Sequence, residues 1–194
     1  MRSGIGFKKR LYRCFNYVRR SKTMIRLIVP TAALEEQVAA FKDSFFDAGE
    51  RVISGSYKLD QDRCTYADWL AILESNRSVE TANPKFGVSE TFLAENEENE
   101  LVGIINIRYE LTPFYKDSGH IGYSVVPQQR RKGYATEMLR NVLELAKQRG
   151  LKEVMLVCLA DNIASKKTIL RCGGQLTRRF GPEDSLKEEF RICL

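Results

Sequence analysis

The feature that most constrains this chain is a basic, glycine-containing loop between a predicted strand and a predicted helix. The apolar run His120–Val126 predicts a strand, and Tyr134–Arg149 has the spacing of an amphipathic helix. Three adjacent cations and a glycine stand between them: Arg130, Arg131, Lys132 and Gly133. The first N–H groups of a helix lack partners within the helix and carry partial positive charge. Such a loop is suited to hold a phosphate.

Two residues of this loop favour close approach of an anion to the backbone. Gly133 has no side chain and Ala135 has a small one, so neither shields the nearby N–H groups. The sequence contains neither G-x-x-x-x-G-K-[ST] nor G-x-G-x-x-G, which argues against nucleoside triphosphates and dinucleotides as ligands. The alternative interpretation is a solvated basic turn that happens to precede a helix.

The order of predicted elements indicates an α/β (α+β) fold with a mixed sheet. Helical spacing predicts helices in Thr31–Ala48, Tyr66–Asn76, Tyr134–Arg149 and Asn162–Cys172. Strand-like runs occupy Ile25–Val29, Val88–Ala94, Leu101–Leu111, His120–Val126, Glu153–Leu159, Gln175–Phe180 and Glu188–Cys193. The polar segment 95–100 predicts a hairpin. Antiparallel strands therefore precede a β-α-β-α-β stretch.

The length of 194 residues predicts one domain with a short extension. Residues 1–23 contain eight Lys or Arg and no acid, and Met24 directly precedes the first strand-like run. We therefore predict a basic extension, 1–23, that is not needed for function, and a domain at 24–194. The alternative is that the extension binds an anionic surface or nucleic acid. For the domain itself no nucleic acid is expected.

Cysteine usage and hydropathy indicate a soluble, cytoplasmic protein. The five cysteines are widely spaced and include no C-x-x-C pair, so we expect neither a metal site nor a disulfide framework. No apolar run approaches the roughly 20 residues that span a bilayer.

Two motifs in register resemble the GNAT acetyltransferase superfamily. The first is Arg130-x-x-Gly133-x-Ala135, similar to the family's R/Q-x-x-G-x-G/A loop, and the second is Asn162-x-x-Ser165 with Gly173, similar to N-x-x-A/S-x-x-x-Y-x-x-x-G. Residues 119–127 are similar to a branch of predicted acetyltransferases. Gly122-Tyr123 and Ser165 also resemble ribosomal-protein N-terminal acetyltransferases. The specific match covers residues 119–174.

The resemblance implies an acetyl-CoA site between two strands that are parallel but splay apart. This gives a mixed, mostly antiparallel central sheet with a splayed parallel strand pair flanked by helices. Ser124, Val125 and Val126 would hydrogen-bond to pantetheine or the thioester. Asn162 and Ser165 would flank the pantetheine arm. The pyrophosphate would bind to Arg130, Arg131, Lys132, Gly133, Tyr134 and Ala135.

The sequence departs from the family pattern at the positions that often move protons. Ile169 stands where the family has a tyrosine acid, and Val157 where some members have a glutamate base. Ser165 is the replacement acid nearest in register. His120, the only histidine, is a candidate general base because its unperturbed pKa is near 6.5.

Further candidates for the base and for the acceptor site remain open. Glu110, Tyr109 and Asp117 are alternative bases. A cage for a cation could form from three aromatic side chains with three aspartates beside them, although packing is an alternative role for Trp69. These residues are Tyr57, Tyr66, Trp69, Asp60, Asp62 and Asp68.

Together these observations predict direct transfer of acetyl from acetyl-CoA to a primary amine of a small molecule or peptide. Residues 31–123 carry a net charge of −9 and residues 124–194 one of +6, which favours a cationic acceptor opposite the CoA-binding half. The alternative is a non-catalytic acyl-CoA-binding sensor. The oligomeric state stays open, with a homodimer as one expectation.

Overall fold

The computed structural model describes residues 24–194. The predicted extension, 1–23, lies outside the described residues, so the domain boundary remains a prediction. The helices are α1 Glu35–Asp47, α2 Tyr66–Ser75, α3 Tyr134–Gln148 and α4 Ile163–Arg171. The strands are β1 Ile25–Ile28, β2 Ser89–Asn96, β3 Leu101–Arg108, β4 Ile121–Val125, β5 Glu153–Leu159, β6 Gln175–Phe180 and β7 Lys187–Cys193. None of the helices within residues 24–194 has the length and apolar character needed to cross a membrane.

The strands form two antiparallel sheets that meet at one point. The first sheet has the order β1-β2-β3-β4 and the second the order β5-β7-β6. Gly119 and Leu156 form an isolated bridge between them, and His120 N donates to Met155 O at 2.7 Å. The predicted mixed α/β fold is confirmed. β4 and β5, the pair expected to splay apart, form no hydrogen-bonded ladder and belong to different sheets.

Each face of the first sheet packs against different helices. Ile105 and Ile107 of β3 lie in a core with α3, whereas Ile104 lies in a second core with α1 and α2. Alternation along a strand places neighbouring side chains on opposite faces. A Cβ at Gly103 would lie 2.7 Å from Met138 Sδ, so the missing side chain lets α3 lie close to β3. We call these the α3 face and the α2 face.

Candidate active site

The gap between β4 and β5 exposes one edge of β4 that has no partner strand. Arg108 N donates to His120 O at 2.8 Å, and Val126 N donates to Val102 O at 3.0 Å. Because hydrogen-bonded pairs alternate along an antiparallel ladder, Ile121, Tyr123 and Val125 turn their backbone groups away from β3. Beyond the junction at Gly119, these groups face the gap. An extended ligand with amide groups can bind there.

The three β4 residues predicted to bind pantetheine therefore differ in what they offer. Val125 presents its N–H to the gap, because its carbonyl accepts from Arg130, while the register directs the backbone groups of Ser124 and Val126 toward β3. The Ser124 hydroxyl donates to Ser54 O at 3.0 Å on the α2 face. Among the three, Val125 is the one whose backbone position suits the predicted contact.

The loop before α3 presents several backbone N–H groups. Within residues 24–194, no backbone carbonyl accepts a hydrogen bond from the N–H groups of residues 131–135. Gly133 is the N-cap of α3 with φ of 94°, a conformation that disfavours any other residue. Arg131, with φ of 68°, is also left-handed. With these two left-handed residues, the loop leaves consecutive N–H groups without backbone partners at the positive end of a 15-residue helix.

Arg130 has a local role that the sequence did not reveal. Its guanidinium forms a bidentate ion pair with Glu50, at 2.6 and 2.7 Å, and its Nε donates to Val125 O at 3.1 Å. The pKa of Glu50 is lowered, chiefly by the hydrogen bond from Arg130. Arg130 thus fixes the loop to β4 and to the segment after α1. Of the three predicted phosphate-binding cations, the exposed Arg131 and Lys132 are better placed to bind an anion than Arg130.

Asn162 and Ser165 open α4 beside the gap. Asn162 is the N-cap, and its Oδ1 accepts a hydrogen bond from Ser165 N at 3.0 Å. The Ser165 hydroxyl lies 2.9 Å from the Tyr123 hydroxyl of β4, so this pair links β4 to α4. Ile169 is 1% exposed and packs in the core, as expected for the residue that replaces the family tyrosine.

Tyr123 is the functional candidate that sequence reasoning missed. Burial raises its pKa to about 12, so the phenol is protonated at neutral pH. Alternation along β4 places the Tyr123 side chain on the same face as Ile121 and Val125. Its contact with Ser165, which lies 42 residues later in the chain, could not be predicted from this local pattern. Cys158 also lies beside Ser165. Burial raises the pKa of this thiol, which disfavours a thiolate and hence an acyl-cysteine intermediate.

His120 lies at the junction of the two sheets. Met155 N donates to His120 Nδ1 at 2.9 Å, so the neutral ring carries its proton on Nε2. Burial lowers the pKa of His120, and the charges of Arg108 and Arg191 lower it further. A ring with its acceptor nitrogen already used is poorly arranged to take a proton from an amine. This geometry favours a structural role over the predicted role as base.

We expect His120 to make stability, rather than turnover, depend on pH. The lowered folded-state pKa means that the unfolded chain binds the proton more readily, so stability should fall as pH drops below about 6.5. His120→Asn, whose Oδ1 can accept from Met155 N, should remove this component. Thermal unfolding of both proteins between about pH 5.5 and 7.5 measures it. A loss of a pH-rate limb without any change in stability would instead identify His120 as the base.

The other predicted bases are held in hydrogen bonds or lie away from the gap. Tyr109 donates to Glu90 at 2.9 Å, and burial raises its pKa well above the usual value. Asp117 forms an ion pair with Arg178 at 2.8 Å. Glu110 is exposed and lies beside Gly87, two residues after the end of β3. The structure thus does not bring any of the three into a described contact with the gap.

The α2 face of β4 is covered by a loop, residues 52–58. A Cβ at Gly55 would lie 2.3 Å from Gly122 O, and Gly55 has φ of 87°, so both glycines are needed for this close approach. Since the phosphate-binding loop and α4 lie on the α3 face, an acceptor would reach the gap from the α2 face. The 52–58 loop therefore borders the candidate acceptor site.

The predicted aromatic cage does not form. Trp69 is fully buried and donates from Nε1 to Ser56 O at 2.7 Å, and Tyr66 donates to Thr31 O at 2.7 Å. Asp68 serves in the capping box of α2, and Asp60 accepts from Ile53 N. Tyr57 belongs to a different cluster, with Phe86. Packing and capping use the side chains that suggested a cation site.

The sequence of this domain matches a known family. A sequence model described as the acetyltransferase (GNAT) domain matches residues 30–175. The chain is therefore a member of the GNAT acetyltransferases, and the resemblance stated from its motifs is confirmed. Acetyl-CoA is accordingly the donor cosubstrate. No curated protein sequence matches the chain.

Several solved structures share the fold. The microcin C7 self-immunity acetyltransferase MccE, in complex with acetyl-CoA and AMP, is 15% identical with a TM-score of 0.63, over 88% of this chain and 93% of that one. RimJ from Mycobacterium smegmatis, in complex with CoA-disulfide, is 16% identical with a TM-score of 0.65, over 87% and 81%. A dodecameric spermidine N-acetyltransferase from Vibrio cholerae is 11% identical with a TM-score of 0.60, over 89% and 95%. At these identities the likeness concerns the fold.

Proposed function

We propose that this protein transfers acetyl from acetyl-CoA to a primary amine by direct attack in the gap between β4 and β5. The observation that carries the proposal is the free backbone edge of β4, which leads directly into the N–H groups before α3. The edge suits pantetheine, and the N–H groups suit pyrophosphate. The amine nitrogen attacks the thioester carbon, the C–S bond breaks, and a backbone N–H of β4 stabilises the developing oxyanion.

The Tyr123 and Ser165 hydroxyls form the route by which we propose that the CoA thiolate is protonated. With Tyr123 donating to Ser165 Oγ, the serine proton is free to pass to the departing sulfur. The phenol is protonated at neutral pH, because its pKa is raised to about 12. The proton that the attacking amine loses returns to the Tyr123–Ser165 pair and restores both hydroxyls, so the products are the N-acetyl amine and CoA with a free thiol.

Thiol release from acetyl-CoA across a panel of amines tests this function. Release that depends on an acceptor, together with an N-acetyl product seen by mass spectrometry, supports an enzyme. Acetyl-CoA binding without release for any amine would favour the acyl-CoA sensor. Absence of binding at millimolar acetyl-CoA would exclude both the enzyme and the acyl-CoA sensor. The free thiols of Cys64, Cys158, Cys172 and Cys193 fit the reducing cytoplasm, where we propose that the protein acts.

Removal of the Ser165 hydroxyl should slow the chemical step. Ser165→Ala should lower kcat about tenfold and leave the Kd for acetyl-CoA unchanged, because a CoA thiolate with a pKa near 8.5 leaves fairly well without an acid. Tyr123→Phe should have a similar or smaller effect. The double variant should be no slower than Ser165→Ala, since both hydroxyls act in one path.

Ser165→Thr keeps a hydroxyl and should restore most of the turnover. Steady-state kinetics and isothermal titration of the same preparations separate the alternatives. A raised Kd for acetyl-CoA with kcat intact would show that Ser165 holds pantetheine instead.

A further inference from the structure

Arg108, the last residue of β3, is a fixed cation without a carboxylate partner among residues 24–194. Its Nη1 donates to Gly119 O at 3.1 Å, and its guanidinium carbon lies 4.0 Å from the centroid of the Tyr115 ring. Nε is buried and has no hydrogen-bond partner. No described residue accepts from Nη2 either. The Nε–Nη2 edge of a guanidinium is one that binds a carboxylate through two parallel hydrogen bonds.

Many other arginines of the described chain have a carboxylate partner. Ion pairs with glutamate hold seven of them: Arg26, Arg77, Arg130, Arg149, Arg178, Arg179 and Arg191. An unpartnered buried donor costs free energy in the folded protein. Stacking on Tyr115 and the bond to Gly119 nevertheless hold the Arg108 guanidinium in place. This arrangement points to an anion that comes from outside the chain.

Asn106 provides an unpartnered acceptor on the same face. Its side chain is 1% exposed, and Nδ2 donates to Glu90 O and Thr91 Oγ1, at 3.1 and 2.9 Å. Its Oδ1 is buried and accepts no hydrogen bond. Asn106 and Arg108 are two residues apart on β3, so both lie on the α2 face, and Asn106 pairs with Gly122 of β4. Asn106 thus turns its amide toward β2, whereas Arg108 binds Gly119 O at the junction that closes one end of the gap.

The approach to this face is aromatic and basic. Tyr57, Phe86, Phe114 and Tyr115 form a cluster of ring contacts with centroids 4.9 to 6.5 Å apart. Lys85 Nζ lies 4.8 Å from the Phe114 ring and Lys58 Nζ 6.0 Å from the Phe86 ring. The two lysines and Arg108 outnumber the carboxylate of Glu110, which lies beside Gly87, and they favour an anion over the cationic acceptor expected from the net charge of residues 31–123.

We propose that the acceptor is a small amino carboxylic acid, whose carboxylate binds the Nε–Nη2 edge of Arg108 while its amine lies at the gap. The inference rests on the proposed N-acetyltransferase function and names its substrate class. In this inference, the charge on the α2 face close to β4 determines which acceptor is used, and the net charge of residues 31–123 does not.

Matched acceptors test the substrate class. Each amino acid of a panel is assayed together with its amide and its decarboxylated amine, by thiol release and kcat/KM. The amino acids should be preferred over both counterparts by at least tenfold. Arg108→Met should lower kcat/KM for the amino acids about tenfold to a hundredfold, and leave that for the amines nearly unchanged. Arg108→Lys, which keeps the charge without the fork, should be intermediate.

Arg77→Met is the matched control, because Arg77 forms only an exposed ion pair with Glu74, at 3.4 Å. It should not change the preference. Equal or better use of the amides, amines or peptides would overturn the inference and leave the N-acetyltransferase function standing. An equal loss for all acceptors in Arg108→Met would also overturn it.

Binding measurements separate this inference from the proposed function. If no amine is acetylated, the proposed function fails, and the amino acids are titrated into the CoA-loaded protein. Binding that Arg108→Met weakens at least tenfold and Arg77→Met does not would still support a carboxylate site. Absence of binding, or binding that Arg108→Met leaves unchanged, would overturn the inference as well.

Discussion

Gly133→Glu should weaken acetyl-CoA binding about a hundredfold. The new carboxylate would enter the space in front of the N–H groups of residues 131–135, where we place the pyrophosphate. Two like charges about 5 Å apart repel by about 3 kcal/mol at an effective dielectric constant of 20. The left-handed backbone at Gly133, with φ of 94°, adds strain. Isothermal titration with acetyl-CoA measures the change in Kd.

The control for this variant is Gly150→Glu at the other end of α3. Gly150 has φ of 90° and no heavy atom within 4 Å of an added Cβ, so the change brings the same charge and similar strain. It should leave the Kd for acetyl-CoA unchanged. An equal Kd in the wild type and in folded Gly133→Glu would refute the placement of the pyrophosphate.

Gly55→Ala should destabilise the fold and displace the 52–58 loop. Its Cβ would lie 2.3 Å from Gly122 O, which is backbone and cannot move aside cheaply. Together with the strain of φ at 87°, we expect a loss of about 2–4 kcal/mol in the free energy of unfolding. Urea unfolding measures this loss, and kcat/KM for the acceptor should fall with it.

Gly49→Ala is the control that separates the backbone strain of a left-handed residue from the steric clash expected in Gly55→Ala. Gly49 has φ of 79° and nothing within 4 Å of an added Cβ, so only about 1 kcal/mol should be lost. Equal losses in the two variants would mean that the close approach of Gly55 to Gly122 is not what holds the loop.

Local patterns predicted most of the fold. The predicted α3 begins at Tyr134 and the predicted β5 spans Glu153–Leu159, as in the structure, because both follow apolar spacing along one segment. Helix ends differ by one or a few residues. The expected splay of β4 and β5 agrees with the structure, in which the two strands belong to different sheets and meet only at the junction beside Gly119.

The candidate site was less predictable, because its contacts join distant residues. The sequence placed a cation at Arg130 but gave no sign of Glu50, 80 residues earlier, which pairs with it. It likewise gave no sign that Tyr123 lies beside Ser165, or that Met155 N occupies His120 Nδ1. Residue type suggested chemistry in each case. Whether each residue has a catalytic or a structural role depends on its contact partner, and tertiary packing determines that partner.

The single bridge between the two sheets has a consequence for how this protein unfolds. Apart from the junction at Gly119 and His120, backbone hydrogen bonds within residues 24–194 do not join β4 to β5, so side-chain packing and the Tyr123–Ser165 contact hold the sheets together. Acetyl-CoA lying in the gap would form hydrogen bonds to both sheets, in the position that a further strand would occupy. The free energy of acetyl-CoA binding would then also oppose separation of the two sheets. The free energy of unfolding should therefore rise with the logarithm of the free acetyl-CoA concentration.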